Sequence, residues 1–142
     1  MDRGRPFYDL RTPKGRVRLY RVEPAVILGV AEGQLEMPQA RPVVDAMSEV
    51  IDEVGSITVF HDWLEVAGYD PPVRVEWTTW SRQQRAQITA THILVKSRVV
   101  AMGVRTAALA LSMVGARVYS YTEPERFNEA LASSPSHARR GA

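Results

Sequence analysis

Apolar residues follow two rhythms along this chain. At 17–22 the stretch VRLYRV alternates, as a strand with one covered face does. At 25–31 the run AVILGVA is continuous, the pattern of a strand buried on both faces. Then the period lengthens. Met37, Ala40, Val44, Met47, Ile51 and Val54 recur every three or four residues, one face of a helix, with Asp45, Glu49, Asp52 and Glu53 largely off it. Pro42 fits a first turn, so this helix is expected to begin near 39–42, and Gly55 is placed to end it. Residues 56–60 read as a second buried strand and 61–69 as the loop that follows.

Asp70, with Pro71 and Pro72 behind it, opens a helix expected to reach about 87, with Val73, Trp77 and Trp80 facing inward. A strand at 92–95 leads to Ser97, which caps a helix over 98–113, and Gly115 stops it. After a strand at 117–121, Thr122-Glu123-Pro124-Glu125 matches a capping box, and Phe127, Ala130 and Leu131 form the inner face of a helix to 132. Residues 7–10 have the makings of a short edge strand before a turn at Pro13-Lys14-Gly15. The tail 133–142, SSPSHARRGA, is expected to be disordered. The order β-β-α-β-α-β-α-β-α implies an α/β domain over 16–132, preceded by 1–15 as an extension or edge strand. Its mixed, largely parallel sheet would have four or five strands, covered by about four helices.

Composition narrows the chemistry. At 142 residues the chain has the size of one domain, and 45% hydrophobic residues suffice for a core without staples. It has no cysteine, which excludes disulfides, thiolate metal sites, Fe–S clusters and Cys nucleophiles. The start, MDRGRPFYDL, lacks the apolar segment of a signal peptide, and no apolar run is long enough to span a bilayer, so a soluble cytoplasmic protein is expected. The net charge of +2 conceals an uneven distribution: residues 1–22 carry +5, residues 23–76 carry −9, and residues 77–142 carry +6. No basic run is dense enough for a nucleic-acid footprint. The phosphate-binding and nucleophile-elbow signatures G-x-x-x-x-G-K-[ST], G-x-G-x-x-G and G-x-S-x-G are absent.

Three stretches resemble the STAS/SpoIIAA-like family: Phe60-His61-Asp62-Trp63, Ser97-Arg98-Val99-Val100-Ala101-Met102-Gly103-Val104, and the ending from Tyr121-Thr122-Glu123 through Phe127 to Ala130-Leu131. The resemblance covers roughly 16–132. It implies a STAS-like α/β fold and a non-enzymatic, bacterial-type regulatory module of signal transduction, like the anti-sigma factor antagonists, that docks on a regulator or kinase-like partner. It also implies distant kinship with lipid carriers of the Sec14 type. In the switching members a Ser or Thr in the loop after the third strand is phosphorylated. Here 60–72 contains neither, so that switch is not expected.

His61-Asp62 at a strand end suggests a site, since ligands of open α/β sheets gather there. Neighbouring strand residues point apart, however, and the segment offers no nucleophile, so catalysis is not expected. The histidines at 61, 92 and 137 do not make a metal set, and no metal or cofactor is expected. The partner surface is expected to join His61, Asp62, Trp63, Tyr69 and Asp70 to an outer helix strip of Met102, Arg105, Leu109 and Met113. The alternatives are that the strip packs on the helix 70–87, that it forms a homodimer as a scaffold module, or that the fold carries a lipid or small hydrophobic ligand. On the wheel of that helix, Val99, Val100, Gly103, Val104, Ala107, Ala110 and Leu111 read as the core arc.

Overall fold

The computed structural model describes residues 4–140. Its strands are β1 (Tyr8–Arg11), β2 (Gly15–Glu23), β3 (Val26–Leu35), β4 (Ile57–Tyr69), β5 (Ile88–Val95) and β6 (Val118–Tyr121). The helices are α1 (Met37–Val54), α2 (Pro71–Gln83), α3 (Arg98–Ser112) and α4 (Pro124–Arg140). The sheet order equals the chain order, β1-β2-β3-β4-β5-β6. The first three strands pair antiparallel and β3 through β6 pair parallel. The sheet therefore has six strands where four or five were expected, because residues 8–11 pair with β2 as the edge strand that 7–10 suggested.

The alternation of buried strands divides the core between two faces. Ile27, Val59 and Ile93 point to the face covered by α1, α2 and α3, where they meet Met47, Trp77, Val104 and Leu111. Leu28, Phe60 and Leu94 point to the other face, where α4 lays Phe127 and Leu131 on them.

Several boundaries differ from the sequence expectation. Helix α2 ends at Gln83 where about 87 was expected, because residues 84–87 close a turn in which the Gln87 and Ile88 N–H groups donate to the Gln84 carbonyl, and β5 accordingly begins at Ile88 where 92 was expected. Helix α1 begins at Met37, so Pro42 sits one turn inside it and forfeits a single backbone hydrogen bond. Helix α4 continues to Arg140 where a disordered tail was expected; residues 141–142 lie outside the described residues. The largest difference is at 61–69, expected as a loop but found as the second half of β4. β4 stays paired there because β3 itself runs on to Leu35, and two register shifts absorb the mismatch between them. Gly33, at φ +79°, makes one of these bends possible: any side chain there would strike the Lys14 carbonyl.

Candidate functional site

His61 follows Ile57 and Val59 on the α1/α2 face of β4 and is buried. Its ring lies 5.4 Å from that of Trp63 and 5.8 Å, nearly perpendicular, from that of Trp77. Burial lowers its pKa from 6.5 to about 4, so the imidazole is neutral at physiological pH. Asp62 belongs to the opposite face, and its Oδ1 accepts the Leu64 N–H at 3.3 Å. The two residues thus form no dyad. The expected surface through 61–69 does not form as drawn: His61 is in the core, Trp63 packs half-buried against that same core, and Asp62 faces away from both.

Tyr69 and Asp70 do reach a surface site. The register shifts bring Tyr69 opposite Leu35 and beneath α3, where its hydroxyl presses on Gly103. Only a residue without Cβ fits under that hydroxyl, which accounts for a glycine mid-helix. Asp70 precedes α2 without a side-chain cap bond; its Oδ1 instead accepts from Gln34 Nε2 at 3.3 Å. Between these groups lies a groove of about 440 Å³ lined by Gln34, Tyr69, Pro71, Arg74, Val99 and Met102, among others. It occupies the carboxyl ends of β3 and β4 and the amino ends of α2 and α3, the usual location of sites in such sheets.

From the groove an apolar stripe continues along α3. Val99 is 74% exposed, Met102 67%, Leu109 68% and Met113 82%. The reading in which this strip packs on α2 is therefore excluded. The core arc is narrower than expected, comprising Val100, Gly103, Val104, Ala107 and Leu111, while Val99 and Ala110 are exposed. Val99 was missed although the sequence carried its signal. The spacing 99, 102, 106, 109, 113 is a second helical stripe beside the first, interrupted by one Thr. Arg105, exposed, sits one turn from both Met102 and Leu109, and Arg98 is exposed at the helix start. Arg74, Arg98 and Arg105 make no ion pair among the described residues.

Elsewhere, His92 is stacked on Phe60 at 4.3 Å, and its Nδ1 lies 2.8 Å from the Tyr121 hydroxyl. Burial holds its pKa at about 4 as well. Among the described residues no three His, Asp or Glu side chains converge as a metal site, and no helix is long and apolar enough to cross a membrane. A cavity of about 60 Å³ between the sheet and α1/α2 is far below the several hundred Å³ of a typical ligand pocket, so it does not house a lipid.

No family model matches the sequence, and no curated protein is similar to it. Among solved structures, the chain is similar to an uncharacterized DUF3478-family protein from Shewanella loihica PV-4, described as having a SpoIIAA-like fold. The TM-score is 0.60 at 9% identity, over 86% of this chain and 97% of that one. Identity so low speaks to architecture alone, and what it establishes is that these six strands and four helices form a SpoIIAA-like fold.

Proposed function

We propose that this chain is a non-enzymatic protein-interaction module of the regulatory kind. It docks through the outer face of α3 onto a partner bearing an apolar ridge edged by Asp and Glu. The observation that carries this reading is the exposed stripe Val99, Met102, Leu109 and Met113, crossed by Arg105. Methionine and leucine supply adaptable apolar contact, and a few such residues dominate the affinity of an interface. The unpaired arginines favour an acidic partner and orient it.

The same chemistry disfavours a homodimer. Two copies of α3 related by a two-fold axis would centre the stripe near Thr106. That places each Arg105 close to its own copy, and like charges brought together oppose association. The switch of the phosphorylated STAS proteins that the sequence resembles has no Ser or Thr in 60–72 to act on, so regulation would act through the partner or through expression.

The test introduces a photo-crosslinking residue at Met102 in the native host and, separately, Met102→Asp/Leu109→Asp. A specific crosslinked partner is expected whose direct binding to purified protein weakens at least about tenfold in the double variant and weakens with added salt. Sedimentation should give a monomer. Unchanged binding by a folded double variant, or a dimer abolished by the same substitutions, overturns the acidic-partner reading.

A further inference from the structure

β6 closes one side of the sheet, with β1 at the other. The two edges are guarded differently. On β1, Asp9 and Arg11 are exposed, and the Arg16 guanidinium holds Asp9 at 2.7 Å, charges that discourage a further strand. β6 reads VYSY; it is short, but it carries no charge, proline or bulge.

The ladder decides which groups of β6 are left over. The Arg117 carbonyl accepts the Thr91 N–H at 2.9 Å, and Thr91 lies opposite Val118. Arg117, Tyr119 and Tyr121 therefore bond towards β5, while Val118 and Ser120 turn their N–H and C=O groups to the outside. A groove of about 400 Å³ follows β6, lined by Val118, Ser120, Thr122 and Arg126 among others.

The side chains point to what fills it. Phe60, His92 and Tyr119 lie opposite one another on β4, β5 and β6. Their rings form a stacked column, 4.3 Å from Phe60 to His92 and 5.0 Å from His92 to Tyr119. The column stops at the sheet edge with Tyr119 47% exposed. The next ring of such a column belongs to a seventh strand. One step along the same side is Arg117, exposed and without an ion pair among the described residues. In an antiparallel addition Val118 and Ser120 would be the hydrogen-bonded positions. Tyr119 would sit in a non-hydrogen-bonded pair, where facing side chains approach closest. The residue opposite Arg117 is then two places after the one opposite Tyr119.

We propose that β6 is a docking edge for an extended peptide segment of another protein, added antiparallel, with an aromatic residue opposite Tyr119 and an Asp or Glu two residues later opposite Arg117. This chain itself contains Tyr121-Thr122-Glu123, but a second copy does not present it as a strand. The Tyr121 hydroxyl lies 2.8 Å from His92 Nδ1, and the chain bends at Thr122 to start α4, taking Glu123 to within 3.8 Å of Arg126. None of these residues belongs to the α3 stripe, so the edge stands or falls separately from that docking surface.

The probe is a cyclised β-hairpin whose free edge reads TVTWTET, with the threonines beside the tryptophan turning their backbone groups outwards. The readouts are the Val118 and Ser120 amide signals in nitrogen–proton correlation spectra of the intact chain, and the hydrogen-exchange rates of those amides. Saturable shifts at sub-millimolar hairpin are expected, largest at these two amides, with exchange slowed at least about tenfold at saturation. Replacing the hairpin's tryptophan by alanine, or its glutamate by lysine, should each weaken binding at least about fivefold. Arg117→Glu should weaken the original hairpin and favour the lysine one, a reversal that a merely structural role would not give. Ser120→Pro removes an outward N–H at an edge position, where proline is tolerated, and should abolish binding by a chain still folded by circular dichroism. If that variant unfolds, the charge reversal decides. Shifts centred away from β6, equal binding of the alanine hairpin, or no reversal with Arg117→Glu overturns the proposal. So does self-association at millimolar concentration that Ser120→Pro removes, which would give the edge to a second copy.

Discussion

At the residue scale, two side chains expose how tightly this core is specified. Gly103 lies under the Tyr69 hydroxyl with no room for a methyl group. Gly103→Ala would gain helix propensity but must displace Tyr69 or lift α3, so a net loss of about 1–3 kcal/mol is expected. Denaturant unfolding measures it. Tyr69→Phe should recover part of that loss in a double-mutant cycle, because it removes the atom in closest contact. His61 gives a pH signature. Its pKa falls from 6.5 to about 4 on folding, so between those values the unfolded chain binds a proton that the folded chain does not. Stability then rises with pH across the window and is lost as pH falls from about 6.5 towards 4, by on the order of 3 kcal/mol for a fully buried imidazole. The more exposed His92 adds to the loss in the same direction. His61→Gln should flatten this part of the stability profile; an unchanged profile would show that the ring is not titrating where its burial places it.

At the scale of elements, what could be read in the sequence depended on whether one periodicity held from end to end. In α1 it did: the stripe from Met37 to Ile51 points to the core, and the first turn alone was misjudged, because Pro38 as well as Pro42 is accommodated. β4 was half legible. Residues 56–60 read as a buried strand, but the bulge opposite Val30 to Glu32 reverses the inward parity, so Val66 faces the same side as Val59 although their spacing is odd. A pattern that changes phase midway resembles no pattern, and 61–69 therefore read as a loop. The candidate residues separate accordingly: Tyr69 lines the groove with Asp70 beside it, and Met102 and Arg105 are exposed on α3, while His61 is buried and Trp63 half-buried against the core. Helix α3 carries two adjacent apolar stripes, and the wheel separates them except at their edges, where Val99 and Ala110 read as core but are exposed. The exposed one should be dispensable for folding. Met102→Asp/Leu109→Asp is expected to change stability by no more than about 0.5 kcal/mol for each substitution, measured by the same unfolding titration.

At the scale of the molecule, the sheet is covered unequally. Three helices share one face, whereas α4 covers the other, holding on through Phe127 and Leu131 with Ala130 beside them. Two well-buried apolar side chains contribute about 3–6 kcal/mol, less than the 5–15 kcal/mol that keeps a typical domain folded. The terminal helix should accordingly behave as a hinged cover that lifts while the remainder stays intact. Native-state hydrogen exchange is expected to show the α4 amides exchanging through an opening of lower free energy than those of α1 and β4, and Phe127→Ala should accelerate α4 alone. Uniform exchange across all four helices would mean the cover is welded shut. When it lifts, Tyr20, Leu28, Phe60 and Leu94 come briefly into water: a greasy panel that a chaperone, a protease or another unfolding chain would meet before any other part of this core.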